Sequence, residues 1–362
     1  MIYKAIGLMS GSSLDGVDII FTELNEKAGK WEFKILNTEC ISYTKNWEEK
    51  LKYAVSLPAC DYQRLHSEYG HYLGGLINSF IAKNNLHHQV HLVASHGHTT
   101  FHDPDNKMTH QLGDGAAIAA ITRLAVVCDL RTLDVALGGQ GAPIVPMGEK
   151  LLFHNHKFFL NIGGIANVSI HNESGSIAFD VCPANRVLNM LAAEEGLAYD
   201  KGGHLASKGN VHDLLYEQLN REEFYKLGGP KSLPNSFGTE IIFPMISSFK
   251  ISTADKLATL VEHIAFRVKE SLKAYTKHES QPLLITGGGA FNSFLIERIL
   301  SHLTKINFSI NLPSAEIIEN KEALIMALLG ILRLREEYTV DSSVTGADSS
   351  SIGGALWIGT EA

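Results

Sequence analysis

Cysteine is scarce and scattered. The four residues, Cys40, Cys60, Cys128 and Cys182, form no CxxC pair, which argues against a zinc ribbon and a disulfide framework and fits reduced thiols in a cytosol. Long hydrophobic runs are also missing. No apolar stretch reaches about 18 residues, so no membrane span is expected. The opening MIYKAIGLMS has no basic region followed by an apolar core and a cleavage site, so the expectation is a soluble, cytoplasmic protein. Basic charge is not in excess: the formal net charge is -8, and a nucleic-acid partner would call for a basic face or stripe. No lysine follows the glycines of the first turn as a Walker A loop requires. A small phosphorylated ligand held by local dipoles remains compatible with all of this.

What is present is an ordinary globular composition, with 45% hydrophobic and 19% charged residues. At 362 residues the chain suits two domains of roughly 150 to 200 residues and hence a cleft. IYKAIGLM reads as a buried strand, GSSLDG as a tight turn and VDIIFTEL as a strand returning antiparallel. FKILNTECISY is a candidate third strand, and helical spacing follows over NWEEKLKYAV and DYQRLHSEYGHYLGGLINSFIAKN. VHLVASHG and LAVVCDLR read as short strands around a helix at DGAAIAAITR. The order then restarts: KFFLNIGG, IANVSIHN and SIAFDV as strands, a helix at NRVLNMLAAEEG, the strand LLITGGGAF, and long helices at STADKLATLVEHIAFRVKESLKAY and NKEALIMALLGILRLREE. LGGQGAPIVP, with three glycines and two prolines, breaks the periodicity and sets the expected division into domains 1–140 and 141–362. Such a duplicated α/β unit, opened each time by a glycine-turned hairpin, is the organisation of the actin-like ATPase (ribonuclease H-like) fold with central mixed sheets. Its two hairpins grip the phosphates of ATP across a cleft; this is a prior from fold and not from chemistry.

Three glycine loops carry the case for a nucleotide. In GLMSGSSLDGVD, residues 7–18, small residues let backbone N–H groups approach a phosphate, Ser10, Ser12 and Ser13 add hydroxyls, and Asp15 and Asp18 are placed to orient a magnesium ion through water. NIGGIANVS is the matching turn of the second half, with Gly163 and Gly164 at the bend and Asn167 beside it. TGGGAFN follows a strand and leads into a helix, where Gly288 and Gly289 let a flat ring or phosphate lie on backbone. Each loop alone is also an ordinary turn.

Asp180, in SIAFDVCPAN, sits just past an apolar strand of the second half. A carboxylate there can accept a proton from an attacking water; the plainer alternative is a helix cap or Asx-turn before Pro183. Cys182 reads as a small buried thiol and not as a nucleophile. SHGHTTFH offers His96, His98 and His102, but the run falls in a loop with no partner at a diagnostic spacing, so polar contacts to a sugar suit it better than a metal. Arg131 and Asp134 follow a strand; Arg131 is fit to hold a substrate carboxylate with paired hydrogen bonds, the alternative being an interdomain ion pair.

Taken together, GLMSGSSLDGVD, SHGHTTFH, QLGDGAAIA, VALGGQGAPIVP, NIGGIANVS and VTGA resemble the anhydro-N-acetylmuramic acid kinase family, in the family's order and over nearly the whole chain. The resemblance implies an ATP- and magnesium-dependent kinase of peptidoglycan recycling. Such an enzyme opens the 1,6-anhydro bridge of an amino sugar with water and phosphorylates O6, giving N-acetylmuramic acid 6-phosphate; the family habit suggests a homodimer. Carried over by residue, Asp180 activates the water. Gly11, Ser12, Ser13, Leu14, Asp15, Gly16, Val17 and Asp18 hold phosphates, as do Gly163, Gly164 and Asn167, while Gly288 and Gly289 hold the nucleoside. His96, Arg131, Asp134, Pro183 and Asn185 fall on the sugar side, and no residue is assigned as a metal ligand. Two departures stand out. The family follows its aspartate with Thr-Gly-Pro-Gly-Asn, where this chain has Val181, Cys182, Pro183, Ala184 and Asn185, so Cys182 and Ala184 are expected to stiffen the loop and narrow the space beside the sugar. KSLPNSFGTE, residues 231–240, replaces the family's shorter Lys-Ser-Thr-Gly-Arg-Glu and lacks its arginine. These departures keep open a kinase for a different sugar and a silent nucleotide or sugar binder.

Overall fold

The alternation of apolar residues in IYKAIGLM builds β1, Ile2–Met9, whose residues 5–8 are buried. In this computed structural model, which describes residues 1–11, 14–172, 175–227, 231–234 and 236–360, β1 pairs antiparallel with β2, Gly16–Lys27. β2 pairs antiparallel with β3, Lys30–Ser42, through the two-residue turn of Ala28 and Gly29. Both turn residues have positive φ, 53° and 80°, the twist that suits a tight hairpin. The later strands are β4, Leu92–Ser95, β5, His98–Asp103, β6, Met108–Leu112, and β7, Val126–Cys128. After them come β8, Phe158–Ile162, β9, Ile165–Asn172, β10, Gly175–Pro183, β11, Gln281–Thr286, β12, Phe308–Asn311, and β13, Ala355–Trp357.

By internal contacts the chain divides into unit 1, Met1–His154 with Asn320–Ala362, and unit 2, Asn155–Glu319. The sheet of unit 1 runs β13-β7-β4-β1-β2-β3, that of unit 2 β10-β9-β8-β11-β12. In each, the first two hairpins are antiparallel and the next strands parallel. With strands counted within each sheet, that of unit 2 has the order 3-2-1-4-5 of the ribonuclease H-like fold, and that of unit 1 has the same order with β13 added as a sixth, antiparallel edge strand. The chain has the duplicated actin-like arrangement, with central mixed sheets and flanking helices, that the repeated pattern anticipated.

The division differs from the expected one at 140/141 in two ways. The GGQGAP segment breaks periodicity yet is held inside unit 1: Gly141 N–H donates to Asp134 and Gln140 N–H to the Thr345 carbonyl. The C-terminal residues return to unit 1 through helix Ala315–Leu334, buried over residues 323–332. That helix seats directly on β1 and β4. A Cβ on Gly7 would lie 1.9 Å from Ala323 O and one on Gly330 2.6 Å from the Ala94 Cβ, so glycine at these two positions sets the helix-to-sheet distance.

In unit 2 the core gathers Leu160, Ile162, Val168 and Val181 of the sheet with Leu257, Val261 and Ile264 of helix Thr253–Leu272. Two local readings change. His98–Asp103 is not loop but β5, hairpin-paired with β6, because Gly97, at φ +71°, turns the chain out of β4 and lets it run extended again. Asp180 lies within β10, not past it: the strand continues to Pro183 across a bulge between Asp180 and Cys182. Among the described residues no helix is long and apolar enough to cross a membrane.

Candidate active site

Register in the sheet of unit 2 builds a row of polar side chains that the sequence spreads over more than a hundred positions. Thr286 of β11 lies opposite Asn161 of β8, Asn161 opposite Asn167 of β9, and Asn167 opposite Asp180 of β10. Residues directly opposite one another share a face, so the row ends in a carboxylate. Burial pushes the Asp180 carboxyl above the usual carboxylate range, opposed by a hydrogen bond from the Leu233 N–H at 2.8 Å. A carboxylate so placed is a stronger base than an exposed one.

The row abuts the β8–β9 turn. The Gly163 and Gly164 carbonyls accept the Asn185 and Ala184 N–H groups at 3.1 and 2.9 Å, tying the end of β10 and the start of helix Asn185–Ala193 to the turn. Neither glycine is demanded by packing, since an added Cβ would meet nothing closer than 3.5 Å at Gly163 or 3.6 Å at Gly164. Glycine there leaves open space beside the backbone. The TGGGAFN loop behaves otherwise: Gly287 has φ +82°, and a Cβ on Gly289 would lie 2.2 Å from Ile162 Cγ2. This loop and helix Asn185–Ala193 line a cavity of about 620 Å³ with Gly288, Gly289, Asn185, Lys201, Phe291 and Glu319 among its walls. The size suits a nucleoside.

The structure parts the residues that were assigned to the sugar in this half. Asn185 belongs to that cavity, its amide donating to the Ile162 carbonyl at 2.9 Å. Pro183 is buried opposite Ile165. Cys182 and Ala184 are fully buried in the core and neither has positive φ. Their side chains therefore do not narrow a ligand space, contrary to what the lost glycines suggested. Burial pushes the Cys182 thiol up to about 12, which keeps it neutral and unreactive. Lys231, in the longer replacement segment, turns its ammonium to the Phe224 and Leu227 carbonyls at 2.9 and 3.1 Å.

In unit 1, the expected phosphate residues divide as well. Ser12 and Ser13 lie outside the described residues. Val17 is fully buried and a Cβ on Gly16 would lie 2.4 Å from the Ile41 carbonyl, so those two shape the sheet. Gly11, Leu14, Asp15 and Asp18 flank the turn between β1 and β2. Ser10 is held below it by Tyr43, hydroxyl to hydroxyl at 2.7 Å, and Tyr43 in turn meets Tyr69 at 2.5 Å.

His96 and Arg131 are brought together. The Arg131 Nε–H donates to His96 Nε2 at 2.8 Å, which leaves the proton on Nδ1 to be donated to the Gly97 carbonyl at 2.8 Å. Burial and then the arginine's charge pull the imidazole down to about 3, so it stays neutral. With both ring nitrogens engaged, His96 offers no lone pair to a metal. Burial lowers Arg131 to about 10 against the raising effect of Glu322 and Asp134. Asp134 is 1% exposed; its two oxygens accept Gly141 N–H and the Thr345 hydroxyl, each at 2.7 Å. It is a frame for the GGQGAP segment and not a surface for substrate.

Two residues of this half escaped the sequence reading. Glu322 has its pKa raised by burial and by Asp18, and lowered by Lys321 and Arg131. Thr345, of VTGA, has its role set by a partner far away in the chain. Neither has a local signal beyond its motif. Among the described residues no group of three or more His, Cys, Asp or Glu could hold a metal ion unaided. Magnesium does not need one, since it is usually held by one or two carboxylates together with waters and phosphate oxygens.

A sequence model of the anhydro-N-acetylmuramic acid kinase family matches residues 3–359. The anhydro-N-acetylmuramic acid kinase of Haemophilus influenzae is 33% identical over 380 residues, covering 97% of this chain and 97% of its own. That of Hydrogenovibrio crunogenus is 33% identical over 371 residues, again 97% of each. The Zymomonas mobilis enzyme is 35% identical over 315 residues, 82% of this chain and 83% of its own.

Proposed function

The chain belongs to the anhydro-N-acetylmuramic acid kinase family, and on that premise we propose that Asp180 is the general base of the reaction. The activity is the family's: ATP-dependent hydrolysis of the 1,6-anhydro ring of anhydro-N-acetylmuramic acid with phosphorylation of O6, giving N-acetylmuramic acid 6-phosphate. Asp180 takes a proton from water as the water oxygen bonds to C1. The C1–O6 bond breaks, O6 bonds to the γ-phosphorus, and the bond from that phosphorus to the ADP oxygen breaks. What supports the assignment is the position of Asp180: a half-buried carboxylate with a raised pKa, ending the polar row beside the open glycine turn.

The other roles follow from the groups already described. Gly163, Gly164 and Asn167 in unit 2, and Gly11, Leu14, Asp15 and Asp18 in unit 1, are the residues fit to hold phosphates with backbone N–H groups and short polar side chains. Gly288, Gly289 and Asn185 line the nucleoside cavity. Arg131, oriented by its hydrogen bonds to His96 and the Gly141 carbonyl, is the group for a sugar carboxylate. Asp15 and Asp18 offer the one or two hard oxygen donors that magnesium takes beside waters and phosphate oxygens, and its charge would neutralise the transferring phosphoryl group.

The lost glycines and the changed segment at Lys231 kept a kinase for a different sugar open as an alternative. Because Cys182 and Ala184 point into the core, the family's own sugar is the substrate we infer. Release of ADP in the presence of a panel of anhydro and free amino sugars tests this: turnover is expected with anhydro-N-acetylmuramic acid above all others. ATP binding without turnover on any of them would instead support a silent binder.

A further inference from the structure

We propose that residues 231–233 form a backbone clamp that orients and tunes Asp180, with the Leu233 N–H as the positioning group and Lys231 as its anchor. The inference rests on Asp180 being the base. At the bulge between Asp180 and Cys182 the pairing of β10 with β9 shifts register, and the Asp180 N–H donates to the Lys231 carbonyl at 2.9 Å. The Leu233 N–H returns the bond, to the carboxylate oxygen Oδ2 at 2.8 Å. Backbone and side chain of one residue are thus gripped two positions apart on one segment, which fixes the plane of the carboxylate.

The segment is itself held. The Lys231 ammonium donates to the Phe224 and Leu227 carbonyls and lies 4.3 Å from the centroid of the Phe224 ring, and the Leu233 side chain is 5% exposed. This anchoring engages the ammonium with backbone carbonyls, and no cation is among the influences on Asp180. The titratable and charged groups nearest in the surroundings of Asp180 are Cys182 on its own strand and, acting on Cys182, Lys231 of the clamping segment and Arg267 of helix Thr253–Leu272. Both cations act on Cys182, while the influences on Asp180 are burial and the Leu233 N–H. Across β9 it faces the neutral Asn167. One neutral donor in place of a cation keeps the carboxylate basic and still aligned. KSLPNSFGTE, where the chain departs from the family's shorter arginine-bearing segment, thus carries a role its composition did not suggest.

The test uses the full-length protein and ATP-dependent turnover of anhydro-N-acetylmuramic acid across pH. Leu233→Pro removes the N–H, and Leu233→Ala keeps it. For Leu233→Pro, loss of a donor to the charged form should move the acidic limb of kcat up by about one unit and lower kcat at neutral pH roughly tenfold, with the ATP KM unchanged. Leu233→Ala should leave the limb in place. Lys231→Met, which frees the segment without touching the N–H, should move the limb in the same direction by less; it decides the matter where Leu233→Pro fails to fold. An unmoved limb in folded Leu233→Pro or, failing that, in folded Lys231→Met overturns the clamp. Asp180→Asn separates this from failure of the base assignment. If Asp180→Asn abolishes turnover, an unmoved limb counts against the clamp alone; if Asp180→Asn stays active, the base assignment falls and the clamp with it.

Discussion

Replacing Asp134 by alanine tests whether this residue is frame or substrate ligand. Its carboxylate is 1% exposed and accepts two donors at 2.7 Å, the Gly141 N–H and the Thr345 hydroxyl. Truncation removes two hydrogen bonds to a charged acceptor, each worth about 1.5 to 3 kcal/mol. It also leaves buried donors unpaired and takes a negative charge from beside Arg131, so the loss should be about 3 to 5 kcal/mol, near the top of the range for single substitutions. In a unit the size of unit 1, each kcal/mol shifts the midpoint by roughly 2 to 4 °C, so the melting transition should fall by on the order of 10 °C. Thermal melts and urea unfolding followed by circular dichroism read this, and the Arg131-dependent KM for sugar should rise with it. A variant that melts within 2 °C of wild type (~0.5 kcal/mol) and shows only a raised sugar KM would refute the reasoning and restore Asp134 to the substrate.

Two further outcomes follow from the site. His96 has its folded pKa depressed to about 3 from about 6.5 in the unfolded chain, so protons favour the unfolded state. Unit 1 should lose stability as pH falls below about 6.5 and His96→Gln should lessen that loss; equal urea midpoints at pH 7 and 5 would contradict it. Gly163→Ala should fold with its melting point within about 2 °C of wild type but raise the ATP KM. Gly289→Ala, whose Cβ would lie 2.2 Å from Ile162 Cγ2, should lower both stability and ATP affinity. Equal effects of the two on stability would contradict the open-turn account.

The strands and long helices were legible because apolar spacing is local: β1, β2, β8, β9 and helix Thr253–Leu272 lie where alternation and helical period place them. What stayed hidden depends on register and return of the chain. The row Thr286, Asn161, Asn167 and Asp180 exists only because three strand pairings align. The fate of Cys182 and Ala184 depended on which way a bulged strand points its side chains, so two substitutions that looked consequential proved to be core filling. The division of the units escaped because helix Ala315–Leu334 carries the end of the chain back onto β1 and β4, a contact that no linker composition announces.

The most direct test of the account is turnover of Asp180→Asn against wild type, followed by ADP release with anhydro-N-acetylmuramic acid and accompanied by the binding constants of ATP and sugar. The asparagine keeps size and the hydrogen bond from Leu233 but cannot take a proton. A fall in kcat of about a thousandfold with both affinities within a factor of three (~0.7 kcal/mol) is the predicted result. Turnover within tenfold of wild type would contradict the assignment of the base.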